Sequence, residues 1–251
     1  MILAVDIGNT NINLGLFDAD TLVRQFRIDV IKLQQDCKTI EEYCTGITTG
    51  NINNIVTASV NPTAESIFFQ WVENKFKKRP IKIGEDIQPK IPIKVRNPEK
   101  VGIDRVLNAI AAYRLVKNDV IVVDVGSAIT FDVVSNTGEF LGGVIAPGIK
   151  MCADALHTQT GQLPLVKVKK VENVLGKDTE EAMIAGIYWG SVGTVNIVLE
   201  KLFDQLKSKP DVIATGGDAE LIAESINYIT KVIPHLTLDG IRIVYEESCS
   251  N

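Results

Sequence analysis

Apolar and polar positions repeat one arrangement twice along the chain. The apolar run Met1 to Val5 leads into Val5-Asp6-Ile7-Gly8-Asn9-Thr10, then into alternating residues that close on a second turn at Asp18-Ala19-Asp20. The run Val120 to Val123 leads likewise into Val123-Asp124-Val125-Gly126-Ser127-Ala128, with its second turn at Asn136-Thr137-Gly138. A short apolar run ended by an Asp-x-Gly turn and followed by period-two alternation predicts strand, turn, strand, turn, strand in each copy.

The segments between and after the copies read as helices and further strands. Ile55 to Ala58 predicts a strand ending at Ser59-Val60-Asn61-Pro62. Ile67, Phe68, Trp71, Val72 and Phe76 recur at helical spacing, which predicts a helix from Thr63 or Ala64 to Lys77 with its aromatic stripe in the core. A second helix is expected to start at Pro98, whose missing N–H suits a first turn, and to run through Leu107, Ile110, Ala111 and Leu115 to about Lys117. After the apolar run Phe140 to Gly148 come a short helix, a Lys/Val-rich stretch near Leu165 to Lys170, and a long helix from Thr179 to Leu206. Gly186, Gly190 and Gly193 each cost that helix about 1 kcal/mol relative to Ala, so they point to close backbone packing or a partner. Asp211 to Thr215 reads as a buried strand, and Gly216-Gly217-Asp218 as the cap of a helix through Ile226. Alternating strands and helices predict an α/β architecture of duplicated mixed sheets. The repeat suggests two lobes, 1–117 and 118–251, with no Gly-, Pro- or Ser-rich linker between them.

Composition narrows the function. With 251 residues, 45% of them hydrophobic, the chain can bury a full core. A net charge of −5, and no basic run beyond clusters such as Lys77-Lys78-Arg79, argue against nucleic acid as a partner. No basic-then-apolar leader is present and no apolar stretch reads as long enough to cross a bilayer, so a cytoplasmic protein without a membrane partner is expected. Cys37, Cys44, Cys152 and Cys249 are scattered and only His157 and His235 accompany them, so reduced thiols are expected rather than a zinc site.

The repeat also carries the candidate chemistry. Two such units facing each other would place two carboxylates and two glycine turns around one cleft, a geometry for a nucleoside triphosphate and its metal. Asp6 and Asp124 can hold Mg2+ directly or through water, and the N–H groups of Gly8 to Asn11 can meet phosphate oxygens, with Asn9 and Thr10 as neutral donors. No G-x-x-x-x-G-K-[ST] motif occurs, so this is not a P-loop. The second locus is Asn97 to Arg105. It reads either as a helix start with ordinary solvated charges or as a site in which Asp104 is a general base, Gly102 permits close approach and Arg105 supplies a fork for an anion. Thr130 and Asp132 share one strand face, which is either the outer side of a hairpin or, with Ser127, the side that meets phosphate or a cation. Gly216-Gly217 could let adenosine lie against the backbone.

Taken in order, Asp6-Ile7-Gly8-Asn9-Thr10, Gly102-Ile103-Asp104-Arg105, Asp124 to Asp132 and Gly142 to Gly148 resemble the motif set of the type III pantothenate kinases. Thr160 to Pro164, Gly176-Lys177-Asp178-Thr179 and Thr215-Gly216-Gly217 continue the match over essentially the whole chain. The resemblance implies the two-lobed, actin-like (ribonuclease H-like) ATPase fold with an interlobe cleft, and ATP-dependent phosphorylation of pantothenate to 4′-phosphopantothenate, the first step towards coenzyme A. It implies that Asp6, Ile7, Gly8, Asn9, Thr10, Asn11, Ile12 and Asn13 form the ATP phosphate loop, that Asp104 accepts the proton, and that Gly102, Ile103, Asp104 and Arg105 contact pantothenate. By the same resemblance Asp124 binds a monovalent cation, K+ or ammonium, Ser127 contacts ATP, Asp6 serves Mg2+, and Thr179 reaches pantothenate from the other subunit of a homodimer. Ser127 stands where the family usually has Thr, Ile103 where it has Ala, and Val95 where it commonly has Tyr. Two alternatives stand beside this reading: a kinase of the same fold for another small hydroxylated substrate, and a nucleotide-binding regulatory relative similar to the Bvg accessory factors.

Overall fold

The computed structural model describes residues 1–35, 39–44, 47 and 52–249; Cys37 lies outside them. Two five-stranded mixed sheets carry the chain, neither closed into a barrel, and their strand orders are equivalent. The first runs β3-β2-β1-β4-β5, from β1 (Ile2–Ile7), β2 (Asn11–Asp18), β3 (Thr21–Asp29), β4 (Asn54–Ser59) and β5 (Ile81–Lys82). The second runs β10-β9-β6-β7-β8, from β6 (Val120–Val125), β7 (Ala128–Val134), β8 (Phe140–Pro147), β9 (Asp211–Thr215) and β10 (Lys231–Val232). In each sheet the acidic strand is central. It pairs antiparallel with the hairpin strand that follows it and parallel with a strand reached through helices. This is the duplicated α/β architecture that the repeat predicted.

Apart from their aspartates, β1 and β6 are wholly apolar, because both faces of a central strand are covered. In the first unit Leu3, Val5, Ile7, Ile12 and Leu14 join Phe68, Val72 and Phe76 in one core. The last three belong to α3 (Pro62–Phe76), where Asn61 accepts the Ala64 N–H as N-cap and Pro62 opens the first turn. Short helices α1 (Val30–Gln35) and α2 (Thr39–Tyr43), which the sequence pattern did not suggest, lie between β3 and β4. In the second unit Val123, Val125, Ile129 and Phe131 pack with α5 (Ile149–Gln159), α6 (Thr179–Leu206) and α7 (Ala219–Ala223).

Three expectations need correction. The helix foreseen from Pro98 is broken: Pro98–Lys100 is a single 3-10 turn, and α4 starts afresh at Ile103 and runs to Val116. The interruption at Val101-Gly102 arises because Gly102 turns the chain so that its carbonyl accepts the first α4 N–H groups, from Arg105 and Val106. The helix through Ile226 stops at Ala223. One helix is also long and apolar enough to span a membrane by length and composition: α6, nearly half of whose apolar stretch is buried in the second unit's core.

The chain packs as two compact units that are not consecutive halves: Met1–Pro92, Arg96–Ala111 and His235–Asn251 form one, and Ile93–Val95 and Ala112–Pro234 the other. A single boundary after residue 117 therefore misses the last helix, α8 (Leu236–Cys249), which packs on β1, β2 and β4 of the first unit. Of the described cysteines Cys44, Cys152 and Cys249 are free thiols, and burial pushes the Cys44 thiol up to about 12.

Candidate active site

Asp6 stands one residue from the end of β1, opposite Asn13 of β2 and level with Ala58 of β4. The Asn13 side-chain amide donates to Asp6 Oδ2 at 3.1 Å. Asp6 keeps some accessible surface, yet loss of water around its carboxyl pushes the pKa up to about 6. The Asn13 bond pulls it down, and the nearby negative charge of Asp104 adds to the rise.

After Asp6 the chain turns through Gly8, Asn9 and Thr10. The Gly8 N–H donates to the Asn11 carbonyl at 3.0 Å, and a Cβ on Gly8 would stand 3.1 Å from that oxygen. The turn is tied on both flanks, since Val60 N–H donates to the Ile7 carbonyl and Val30 N–H to the Thr10 carbonyl, each at 3.0 Å. Asn9 is exposed at its tip. Ile7 and Ile12, both in the predicted phosphate loop, are fully buried, so they have only backbone groups to offer a ligand.

Asp104 is the second residue of α4 and half-buried. Arg105 N–H donates to Asp104 Oδ1 at 2.9 Å, which fixes the carboxylate over the helix N-terminus, where the helix dipole favours negative charge. Gly102 is needed for this geometry, because a Cβ there would fall 2.5 Å from the same oxygen. The first unit thus brings together Asp6, Asn13, the Gly8 turn and Asp104. Two carboxylates near one another, with phosphate-sized donors beside them, suit a bound divalent cation and an anionic ligand.

The second unit repeats the strand and turn in a tighter form. Asp124 lies opposite Thr130 of β7 and level with Thr215 of β9. Val125 pairs with Ile129 whereas Ile7 pairs with Ile12, so the second turn is one residue shorter. Two glycines brace it. At Gly216, with φ +97°, a Cβ would lie 2.4 Å from Asp124 Oδ1 and 2.6 Å from the Val125 carbonyl oxygen. At Gly148 it would lie 2.3 Å from the Ser127 carbonyl oxygen and 2.6 Å from that of Gly126. The Cβ side of Gly216 is therefore filled by Asp124 and Val125, which by itself requires glycine there. Bracing by Gly148 was not foreseen; its position between an apolar strand and a helix was the available signal.

Ser127 is exposed at the turn. Thr130 does share a face with Asp132, donating to its Oδ2 at 3.4 Å, but Asp132 is completely buried and so supports the strand from within. Among the described residues no group of three or more His, Cys, Asp or Glu side chains could hold a metal. Thr179 opens α6, exposed, behind an N-cap in which Asp178 Oδ1 accepts the Glu181 N–H at 2.8 Å. Val95 runs beside β8: Lys94 N–H donates to the Phe140 carbonyl at 2.8 Å, and a Cβ on Gly142 would be 3.5 Å from Val95 Cγ1.

A family model described as type III pantothenate kinase matches residues 2–201. The type III pantothenate kinase of Moorella thermoacetica is 38% identical over 257 residues, covering 99% of this chain and 100% of its own length. That of Bacillus cytotoxicus is 37% identical, covering 99% of this chain and 97% of its own. Among solved structures, a conserved Baf family protein from Campylobacter jejuni superposes with a TM-score of 0.59 at 21% identity, covering 99% of this chain and 100% of its own. The activator of the 2-hydroxyisocaproyl-CoA dehydratase from Clostridium difficile, with bound ADPNP, gives 0.55 at 13% identity, covering 99% of this chain and 96% of its own. At these identities the likeness is one of fold, the actin-like ATPase architecture.

Proposed function

The chain belongs to the type III pantothenate kinase family, and we propose that Asp104 is its general base and the turn after Asp6 its phosphate loop. The protein is a kinase that phosphorylates an alcohol group of pantothenate with ATP, giving 4′-phosphopantothenate for coenzyme A synthesis. The observation that carries the residue assignment is that the Asp104 carboxylate, fixed at the start of α4 by the Arg105 N–H and by the missing side chain of Gly102, has its charge felt by Asp6 of the same unit.

Pantothenate binds at Gly102 to Arg105, with its hydroxyl towards Asp104 and its carboxylate in reach of the Arg105 guanidinium. The Gly8 N–H closes the turn on the Asn11 carbonyl, so the backbone N–H groups of Asn9 to Asn11 and the side chains of Asn9 and Thr10 hold the triphosphate. Phosphoryl transfer passes through a loose transition state that needs little proton abstraction before the bond forms, so Asp104 first orients the hydroxyl and then takes its proton. Asp6 would hold Mg2+ directly or through water. An ion held there would supply positive charge against the triphosphate, and the Asp6 carboxylate, with the charge of Asp104 near it, suits a hard divalent cation. Asp124 and the carbonyl-rich turn at Gly126-Ser127 offer hard oxygen donors of the kind K+ or ammonium takes, and Ser127 contacts ATP.

A homodimer formed on α6 completes the reading, with Thr179 reaching the substrate of the other subunit. Its support is the open face of α6: a Cβ added at Gly186, Gly190 or Gly193 would meet nothing within 4 Å, and Ile197 beside them is 48% exposed. The chain acts in the cytoplasm.

The test is ADP release from Mg-ATP with and without pantothenate, in potassium and in sodium buffer. Release that depends on pantothenate and is faster in potassium is expected. ATP binding without pantothenate-dependent release would overturn the assignment, and equal rates in the two buffers would remove the role given to Asp124.

A further inference from the structure

Asp104 stands at the very start of α4, preceded only by the isolated 3-10 turn and Gly102, so what holds α4 holds the base. The next turn of the helix supplies the anchor. Leu107 and Asn108, three and four residues on and therefore on the same side as Asp104, are completely buried. Against them lies α8. A Cβ on Gly240 would stand 2.3 Å from the Leu107 carbonyl oxygen and 2.9 Å from Leu107 Cβ, so the two helices touch backbone to backbone. One turn earlier on α8, Thr237 Oγ1 donates to Asn108 Oδ1 at 2.8 Å. Leu238, Ile241 and Val244 of the same helix share a core with Leu107 and with Ala4, Val56 and Ala58 of the sheet, and Ala58 is the register partner of Asp6.

We propose that Thr237 and Gly240 of the C-terminal helix are positioning residues for phosphoryl transfer, setting where Asp104 stands relative to Asp6 through their grip on Asn108 and Leu107. The proposal rests on Asp104 as base. A hydrogen bond to a fully buried amide fixes rotation of α4 about its axis, and the absent side chain at Gly240 fixes how near α4 comes to the sheet. Neither residue touches substrate. Their effect is on the geometry of attack, to which phosphoryl transfer is sensitive because its catalysis is mostly orientation.

The experiment compares Thr237→Val, which keeps the shape and removes the hydroxyl, with Thr237→Ser, which restores it, and with Gly240→Ala. Thermal melting establishes folding, and steady-state rates give kcat and both KM values. Thr237→Val is expected to lose kcat roughly ten-fold or more with both KM values changed less than three-fold. Thr237→Ser should recover to within three-fold of wild type, and Gly240→Ala should fall in the same direction as Thr237→Val. A kcat for Thr237→Val within three-fold of wild type, or a loss not recovered by Ser, overturns the proposal. Should the Val variant fail to fold, Gly240→Ala decides: a kcat loss of three-fold or more supports positioning, and a smaller one overturns it. Wild-type protein with no pantothenate-dependent turnover would instead overturn the reading beneath it.

Discussion

The negative charge of Asp104, at the start of α4, reaches Asp6, near the end of β1, and helps raise the pKa of its carboxyl. The two come from separate sequence motifs, and a fold selected for stability alone would keep like charges apart. Bringing them together is a local cost, and such costs concentrate where a ligand relieves them. The helix and the strand that present them share the core built around α8.

Replacing Asp104, the proposed base, tests the pair directly. Asp104→Asn keeps the shape and the hydrogen bond from Arg105 while removing the proton acceptor and the charge. Pantothenate-dependent ADP release should fall by about 10²- to 10⁴-fold, while ATP binding, measured by calorimetry, stays near wild type. A coupled assay showing near-normal turnover would reject Asp104 as the base.

Asp6 predicts a pH signature of folding in the ligand-free protein. Its carboxyl titrates near 6 when folded and near 3.8 otherwise. A raised carboxyl favours the folded state while protonated, so that stability is fully present below about pH 3.8 and lost as pH rises through about 6. Asp6→Asn has no such dependence. Urea unfolding of both proteins should therefore show the variant gaining on wild type by about 2 kcal/mol between pH 4 and pH 8. Parallel curves would mean that Asp6 is not desolvated as described. The same variant should lose Mg-ATP affinity, a trade of function for stability.

Much of this is legible in the sequence alone. The strand-turn-strand repeat, α6 and β9 follow from periodicity and Gly punctuation, because each is long or strongly apolar. Asp6 and Gly8 stand out as candidates because the repeat marks them, whereas the residues around Asp104 also fit an ordinary helix start, and it is the family resemblance that singles it out. Packing between distant segments is not. Thr237, Asn108 and Gly240 form no motif, and only the tertiary contact of α8 with α4 gives them meaning. The break before Ile103 is hidden because Pro98 is a genuine first-turn residue, but of a 3-10 turn. Gly216 looks like a ligand-facing glycine because sequence cannot tell which neighbour needs the space.

Gly216 and Gly84 allow strain to be separated from contact at the second acidic turn. Their φ values are nearly equal, +97° and +95°, yet a Cβ at Gly84 meets nothing within 4 Å while one at Gly216 strikes Asp124. Gly84→Ala should cost only the backbone strain, about 1–3 kcal/mol, and leave the response to potassium intact. Gly216→Ala should be the more destabilised in thermal melts and should need more potassium for half-maximal activation, because the Asp124 carboxylate is displaced. Equal melting losses and equal potassium curves for the two variants would detach Gly216 from the cation role proposed for Asp124.

The open face of α6 makes the sharpest demand on assembly. Glycine in a helix interior costs about 1 kcal/mol relative to alanine, and a Cβ at Gly186, Gly190 or Gly193 meets nothing within 4 Å among the described residues to offset it. Within one chain a larger side chain at Gly190 is therefore tolerated, and only a second chain packed against the helix would reject it. With the proposed dimer formed on α6, wild type is expected to sediment and scatter light as a dimer, and Gly190→Leu to retain a cooperative thermal transition but behave as a monomer. Activity should fall with it, since Thr179 lies on the same helix and is assigned to the partner's substrate. A Gly190→Leu protein that remains dimeric would place the interface elsewhere, and a wild type that is monomeric at assay concentrations would leave Thr179 without its role.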